Sequence, residues 1–458
     1  MRDERGGVSV NLRFYHAFVL TMEEQEKECG ERELWIRDDR IVYIGDPADE
    51  EERARLMKRC RISTGGFDRE IDCAGDVLMP GFQNAHAHSG MTLLRSAADD
   101  LPLSEWLNQQ IFPREAMLTP QDIKTLTKLA IMEYVSGGIT SVFDMYLAPD
   151  ETAEAFIETG MRCVQCGTVN TFTHSVSQLE DFYLRLNELH PLMGYRLGFH
   201  AEYTTDFKLL KQIAALSEKY KAPVYMHLSE TEKEAAECRE RYGRSPVAFL
   251  ESIGMFEHGG AGYHCVHVSD EDMEILAEKN VGVVTNPASN MKLVSGIAPV
   301  AEMVKRGICV AVGTDGPASN NSLDFFKEMY LLSILAKWRE KEPAALSPMQ
   351  ILRMACVNGA RVMGLPDCGC LREGAKADII RIDMKQPEMR PLHGTGSGKL
   401  EAEKFAANLV YSGSKRDVRM TMVDGRILYE NGQYELNLSK DNLYEQVERI
   451  ADPIVRGK

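Results

Sequence analysis

Two histidines separated by a single residue, His86 and His88, are the first feature of this sequence that points to chemistry. In an extended chain their rings lie on the same side, about 6.6 Å apart along the strand, which is close enough to share a metal ion. A third imidazole at His227 and a carboxylate at Asp315 would complete a site suited to zinc or a similar divalent ion. The alternatives are a core histidine bonded to backbone for His227 and a turn residue within GTDG for Asp315.

Further polar residues follow two of the same segments. Glu230 lies three residues beyond His227, in HLSET. It is either a carboxylate that the dipole favours at a helix N-terminus or a general acid/base that reaches over the metal. His264 is a candidate second polar group over the metal-bound water. His267 is an odd number of positions away on the same strand and is therefore expected to point to the other face and to be structural.

A repeating pattern of strands and helices must position these residues. Short apolar or β-branched runs alternate with helix-like segments, and the runs are 79–88, 139–145, 161–169, 195–203, 223–229, 259–268, 281–287 and 308–315. The alternation predicts parallel βαβ units, and a run of eight is typical of a closed (β/α)8 TIM-type barrel. An open doubly wound sheet is the main competitor, but no G-x-G-x-x-G follows any strand. The candidate residues fall at strand ends, where barrel active sites lie; His200 ends the fourth strand.

The two ends of the chain differ from the middle. Residues 1–80 and 366–458 contain short alternating runs and the D-G and N-G dipeptides that are typical of hairpins. We therefore expect an α/β protein with a catalytic barrel over 81–365. The two ends are expected to form one composite β-sandwich domain.

Composition excludes several classes of protein. The chain has 458 residues, a net charge of −16 and no basic stripe, which argues against a nucleic-acid partner. No apolar run approaches the length of a membrane span, and the N-terminus lacks a hydrophobic signal core, so we expect a cytoplasmic protein without a membrane partner. The 11 cysteines are expected to be reduced, with Cys163 and Cys166 packed in a buried strand rather than holding metal.

Four segments together carry a resemblance to a known family. PGFQNAHAH, HLSET, HCVH and GTDGPASNN occur in an order and spacing that resemble the amidohydrolase superfamily. Within it, the chain is most similar to the 5-methylthioadenosine/S-adenosylhomocysteine deaminases, and the similarity covers nearly the whole chain. The resemblance implies a homo-oligomer that holds one divalent ion, Zn²⁺ before Fe²⁺ or Mn²⁺. The implied ligands are His86, His88, His227 and Asp315.

The resemblance also implies roles for residues around the metal. Glu230 would be the proton-transfer acid, His264 would help to activate the water, and Asp315 would accept the water's proton. Glu115, in PREAMLTP, would bind the ribose hydroxyls of a purine nucleoside, and His200 would contact the substrate. The implied reaction converts the adenine ring to the inosine analogue and releases ammonia.

The sequence departs from the family at two places. The fourth strand reads FHAEY where PHAPY is common, and an arginine expected near the third strand has no clear counterpart, because Cys166 stands near its place. Both departures concern the tail of the substrate more than the chemistry at the metal.

Other functions stay open at this point. A guanine, pterin or other aromatic-ring deaminase, or a chlorohydrolase of the same superfamily, is the first alternative, and a non-catalytic metal-binding scaffold is a distant one. Two-metal relatives use a carbamylated lysine at the end of strand four, where this chain has no lysine before Lys208. The other class of zinc deaminase needs P-C-x-x-C after H-x-E, and that motif is absent.

Overall fold

The eight apolar runs form eight adjacent strands of one parallel sheet in a computed structural model, which describes residues 10–23, 28–62, 65–391, 394–395 and 399–456. Most positions in these strands are buried, as expected where helices cover a parallel sheet. In chain order the strands are β1 Phe82–Ala87, β2 Ile139–Asp144, β3 Arg162–Cys166, β4 Met193–Ala201, β5 Val224–Leu228, β6 Gly260–His264, β7 Val281–Thr285 and β8 Val310–Val312.

The first and eighth strands meet and close the sheet. Ala87 pairs with Asp315 in a parallel bridge, and the N–H groups of Thr314 and Asp315 donate to the carbonyl oxygen of His86 at 3.1 and 3.0 Å. Gly313 permits this approach, because a Cβ there would lie 2.9 Å from the same carbonyl oxygen. The predicted (β/α)8 barrel is confirmed.

Helices follow the barrel strands, as the alternation predicts. Several begin at a residue whose side chain accepts a hydrogen bond from a free backbone N–H, such as Asp206, Thr231 and Ser269. The main helices of this part of the chain are Pro120–Ser136, Pro149–Thr159, Val176–Leu186, Phe207–Tyr220, Glu232–Tyr242, Pro246–Ser252, Asp270–Glu278, Pro287–Lys292, Val300–Lys305, Pro317–Asn320 and Phe325–Glu340.

A string of short helical turns follows β1 before the first long helix. They are the 3₁₀ turn Ser89–Leu94, the α turn Leu103–Glu105, the π turn Trp106–Ile111 and the α turn Phe112–Glu115. Their apolar side chains form a buried cluster that includes Met91, Trp106 and Ile111. Residues of the C-terminal helix Lys440–Ala451, and of the π turn Asp452–Arg456 after it, pack on the same cluster. This cluster fixes the segment that carries Glu115.

The two chain ends build a second, mixed sheet of eleven strands, as predicted. It has its own core, which includes Phe14, Ile36 and Ile379. Its strands are Asn11–Val19, Glu28–Arg37, Arg40–Gly45, Arg69–Asp72, Val77–Pro80, Ile379–Ile382, Gly394–Thr395, Lys399–Glu401, Val418–Val423, Arg426–Glu430 and Gln433–Tyr434. Helices Glu50–Arg59, Pro348–Arg353, Gly359–Met363 and Ala402–Tyr411 and the π turn Met354–Asn358 belong to the same part of the chain.

The chain groups into two units. One comprises Met1–Phe82, Val135–Thr140 and Pro348–Leu436; the other comprises Gln83–Tyr134, Ser141–Ser347 and Asn437–Lys458. The domain boundaries proposed from sequence, 1–80 with 366–458 and 81–365, stay a prediction. None of the 11 cysteines, all of which the structure describes, forms a disulfide bond, and Cys163 and Cys166 are buried in β3. In the part of the chain that the structure describes, no helix is both long and apolar enough to cross a membrane.

Gly260 at the start of β6 provides a test of the barrel. Its φ is +139°, and a Cβ there would lie 1.9 Å from the carbonyl oxygen of Val224 on β5. We expect Gly260→Ala to lower the free energy of unfolding by at least about 3 kcal/mol, because backbone must move to admit the methyl group. Thermal unfolding measures the loss.

Gly243 is the matched control, since its φ is +69° and a Cβ there would meet nothing within 4 Å. Gly243→Ala should cost only the left-handed strain, about 1 kcal/mol. Equal losses of melting temperature in the two variants would contradict the close approach of the two strands.

Candidate active site

Four buried side chains converge at the C-terminal end of the barrel. The ligand atoms of His86, His227, His264 and Asp315 all lie within 4.8 Å of one another. They come from the ends of β1, β5 and β6 and from the residues that follow β8. Three imidazoles and one carboxylate are a donor set that zinc and similar divalent ions favour.

His86 has a nitrogen environment that fits a metal ligand. Neither ring nitrogen has a hydrogen-bond partner among the described residues, although both are buried. Burial lowers the pKa of His86 to about 3, so its ring is neutral. The ring stacks on Tyr263 with centroids 3.8 Å apart, which fixes its plane. Because an orphaned buried polar atom is costly, a cation bound at this ring would satisfy it.

His88 lies beside this group rather than within it. Its Nε2 is 3.2 Å from Asp315 Oδ1, and its Nδ1 donates to the carbonyl oxygen of Met145. Burial acts to lower the pKa of His88, but the hydrogen bond and charge of Asp315, together with the Met145 carbonyl and the charge of Asp144, outweigh burial and raise it. The predicted ligand set of His86, His88, His227 and Asp315 therefore includes a residue at the edge of the cluster, while His264 lies inside it.

Asp315 presents one oxygen to the histidines and keeps the other for hydroxyl groups. Oδ1 faces His86 and His88, whereas Oδ2 accepts hydrogen bonds from Ser289 and Ser319. Burial acts to raise the pKa of Asp315, but the adjacent rings of His86 and His88 hold it well below its usual range. The carboxylate is therefore ionised.

Outer partners orient the other two rings. His227 Nδ1 donates to the carbonyl oxygen of His200 at 2.8 Å, and His264 Nδ1 lies 2.7 Å from Asn290 Oδ1. Partners of this kind fix the rotation of a ligand ring and leave Nε2 free to face the centre.

Glu230 is buried next to the cluster, with Oε2 3.9 Å from His264 Nε2. Burial raises its pKa above the usual value, which favours the protonated form. Its position depends on Glu234, whose carboxylate accepts hydrogen bonds from the backbone N–H groups of Ser229 and Glu230 at 2.8 and 2.7 Å. Ser229 adopts a left-handed conformation with φ of +49°, so Glu234 holds a strained turn.

A cavity of about 530 Å³ opens beside the cluster. Its polar inner end is formed by His88, His227, Glu230, His264 and Asp315. Further out the cavity is lined by residues that include Glu115 and His200. Burial lowers the pKa of His200 to about 4. Glu115 Oε1 is buried without a partner among the described residues, and burial raises the pKa of this carboxyl to about 7. All eight residues selected from the sequence lie in the cluster or line the cavity.

Several residues that matter here were not selected from the sequence. They are Ser289 and Asn290 after β7, Ser319 after β8, and Glu234. A signal was present for three of them, because the tetrapeptide P-A-S-N occurs at 287–290 and again at 317–320, directly after the last two strands.

Two residues that mimic functional positions have other partners. His267 Nε2 lies 2.7 Å from the carbonyl oxygen of Ser295 and does not line the cavity. Glu202 of the H-x-E sequence is buried and forms an ion pair with the exposed Arg241 at 2.6 Å.

The cluster leads to a test by metal analysis. We expect about one divalent ion per purified chain, and we expect His86→Ala to weaken its binding at least about 100-fold, because the ring is central to the donor set. Metal content after gel filtration, measured by atomic emission, reports both. His258→Ala is the control, since His258 pairs with the exposed Glu218 and does not line the cavity. Two ions per chain would contradict a mononuclear site.

Comparisons with known proteins agree with this geometry. Residues 77–428 match the amidohydrolase family. The 5-methylthioadenosine/S-adenosylhomocysteine deaminase of Pelotomaculum thermopropionicum is 36% identical over 96% of this chain and 98% of its own. The 5′-deoxyadenosine deaminase of Methanosarcina mazei is 37% identical over 96% and 97% of the two chains. A zinc-bound adenosine deaminase from Xanthomonas campestris has a TM-score of 0.87 and 28% identity over 98% and 99% of the two chains. The chain belongs to the amidohydrolase family.

Proposed function

We propose that this protein is a hydrolytic deaminase of adenine nucleosides that carry a modified 5′ position, such as 5′-methylthioadenosine, S-adenosylhomocysteine or 5′-deoxyadenosine. Water replaces the exocyclic amine at C6, and the products are the inosine analogue and ammonia. One observation carries the proposal: a buried carboxyl with a raised pKa, Glu230, lies beside a cluster of three imidazoles and one carboxylate at the inner end of a cavity. Relatives with 36% to 37% identity over nearly the whole chain bear the corresponding names.

The ion that this site would hold is one divalent cation, with Zn²⁺ favoured over Fe²⁺ or Mn²⁺ by the nitrogen-rich donor set. We assign its binding to His86, His88, His227 and Asp315, with His264 beside them. A bound cation of this kind supplies a water whose pKa is lowered to about 7.

Glu230 is the proposed general acid. Attack of water on C6 breaks the aromaticity of the ring unless N1 gains a proton as the new bond forms. Burial raises the pKa of Glu230, which favours the protonated form that could supply the proton N1 needs. A dry, buried site also strengthens this hydrogen bond relative to bulk water.

His264 and Asp315 handle the attacking water. His264 is oriented through its Nδ1 by Asn290, which leaves Nε2 to hold the water against C6. Asp315 is ionised, so it can accept the proton that the water loses. That proton goes to the departing amine, which leaves as ammonia. The second proton of the water leaves the new C6 hydroxyl group as the carbonyl forms and returns to Glu230, so atoms and charges balance.

Glu115 and His200 are proposed to bind the nucleoside. Glu115 Oε1 makes no hydrogen bond of ordinary geometry among the described residues, so it can accept one from a ribose diol, which offers two donors. His200 lines the cavity with its ring neutral, because burial lowers its pKa to about 4.

We also propose a cytoplasmic location and a homo-oligomer with no nucleic-acid partner. The 11 cysteines without a disulfide bond suit a reducing compartment, and the net charge of −16 disfavours contact with a polyanion.

Ammonia release tests the reaction. The metal-loaded protein should deaminate 5′-methylthioadenosine and adenosine but not guanine. Glu230→Gln should lower kcat by about 10²- to 10⁴-fold with full metal content, because an amide cannot supply the acidic proton. Near-normal turnover in Glu230→Gln would contradict its role as the acid. A preference for guanine would replace the proposed substrate class.

Glu115→Ala tests the diol contact. We expect KM for adenosine to rise by at least about tenfold, because the ribose loses up to two hydrogen bonds of about 0.5–1.5 kcal/mol each. Turnover of free adenine, measured by the same ammonia assay, should change little because a base has no ribose. Equal effects on adenosine and adenine would show that Glu115 does not bind the ribose.

A further inference from the structure

The outer part of the cavity has an uncharged wall. It is formed by side chains from the turns after β1 and from the segment after β3, among them Leu103, Trp106, Leu107, Asn170, Phe172 and Thr173. Among the residues that the structure describes, no lysine or arginine lines the cavity. The acidic side chains that do line it are Glu115, Glu230 and Asp315. Away from the proposed metal centre at its inner end, the cavity therefore offers no lysine or arginine among the described residues to a negatively charged ligand group.

The polar atoms of the segment after β3 are engaged with one another. Asn170 Oδ1 accepts hydrogen bonds from the backbone N–H groups of Phe172 and Thr173 at 2.7 and 3.0 Å. Thr173 Oγ1 donates to the carbonyl oxygen of Thr168 at 2.8 Å, and Thr168 Oγ1 lies 3.2 Å from His174 Nδ1. Burial lowers the pKa of His174, so this ring is neutral as well.

This internal bonding leaves an aromatic side chain at the mouth of the cavity. Phe172 lines the cavity and is 85% exposed to solvent. By contrast, the polar inner end of the cavity is nearly closed to solvent, since His264 there is only 1% exposed. An apolar ring at the mouth is suited to covering an apolar ligand group, because such contact removes both surfaces from water.

We propose that the cavity selects adenine nucleosides whose 5′ substituent is uncharged, as in methylthio or deoxy derivatives, and discriminates against a zwitterionic amino-acid tail. Phe172 is the specificity-determining residue. This inference rests on the proposed function, which places C6 at the inner end and the ribose at Glu115. The 5′ group then extends into the outer part of the cavity.

Charge is the physical reason for the discrimination. A carboxylate that enters the cavity loses water and needs a cation or several N–H donors in return. The acidic side chains of the lining repel it. The lining also has neutral donors, and two of them, Trp106 Nε1 and the Tyr146 hydroxyl, have no partner among the described residues, but neither carries the full positive charge that would replace the lost water. The ammonium of an amino-acid tail can find an acidic partner, but its carboxylate cannot. A methylthio group has no such requirement.

The first experiment compares three substrates of the metal-loaded enzyme by kcat/KM. They are 5′-methylthioadenosine, S-adenosylhomocysteine and 5′-butylthioadenosine, whose neutral tail has the chain length of homocysteine. We expect S-adenosylhomocysteine to be at least about tenfold poorer than 5′-methylthioadenosine, as for a charge that loses its water without a partner. The butylthio compound should stay within about threefold of it, because apolar contact compensates its size. An equally poor butylthio compound would overturn the role of charge in favour of length.

The second experiment introduces a positive charge into the uncharged wall of the cavity. Phe172→Arg should raise kcat/KM for S-adenosylhomocysteine about tenfold relative to that for 5′-methylthioadenosine, and salt should reduce the gain. Phe172→Met is the matched control, which keeps an uncharged side chain and should keep the substrate preference. A gain of the same size in Phe172→Met would overturn the assignment to charge.

The outcomes separate this inference from the proposed function. Equal or better kcat/KM for S-adenosylhomocysteine in the unmodified enzyme overturns the tail preference and leaves the deaminase intact. Failure to release ammonia from every adenine nucleoside overturns the deaminase itself.

Discussion

The closure of the barrel between its first and last strands is the interaction on which the site depends. Two successive N–H groups, those of Thr314 and Asp315, donate to one carbonyl oxygen, that of His86. The side chain of Asn84 reinforces this closure, because it accepts from Thr314 N at 3.0 Å and donates to Thr314 Oγ1 at 2.7 Å. Residues far apart in sequence are thereby held at hydrogen-bond distance. The closure thus brings His86 and His88, at the end of β1, together with the carboxylate of Asp315 after β8.

Orientation within the site comes from a second layer of hydrogen bonds that spans two loops. Glu328 is buried in the helix Phe325–Glu340, and it accepts from Ala288 N at 3.0 Å and from Asn320 Nδ2 at 2.8 Å. It therefore ties the short helix Pro287–Lys292 after β7 to the short helix Pro317–Asn320 after β8. These helices carry the two serines that donate hydrogen bonds to Asp315. Burial raises the pKa of Glu328 to about 8, and its hydrogen bonds compensate part of the cost of burying a carboxyl group.

Sequence was sufficient to predict the barrel and to place the candidate imidazoles at the ends of its strands. Short buried strands with histidines at their ends form a pattern that needs no tertiary information. Sequence could not predict which imidazoles converge. In the structure His264 lies within the cluster, whereas His88 lies at its edge. Left-handed backbone at His264 (φ +71°) and Asp315 (φ +58°) redirects these side chains. Propensity does not encode such conformations in residues other than glycine, since surrounding structure must stabilise them.

The pKa values of two neighbouring carboxyl groups, Asp315 and Glu230, shift in opposite directions. Their different partners cause this difference, since both groups are buried. Asp315 bonds to two imidazoles and two hydroxyls, and its pKa falls. Among the described residues, the Glu230 carboxyl has Ser295 Oγ at 3.5 Å and an imidazole nitrogen at 3.9 Å, so desolvation prevails and its pKa rises. One cavity therefore contains an ionised carboxylate that can accept a proton and a second carboxyl group whose raised pKa favours holding one. Separated pKa values of this kind are what acid–base chemistry at neutral pH requires. The net charge of −16 has no part in this separation, because the local partners of each carboxyl group determine its protonation.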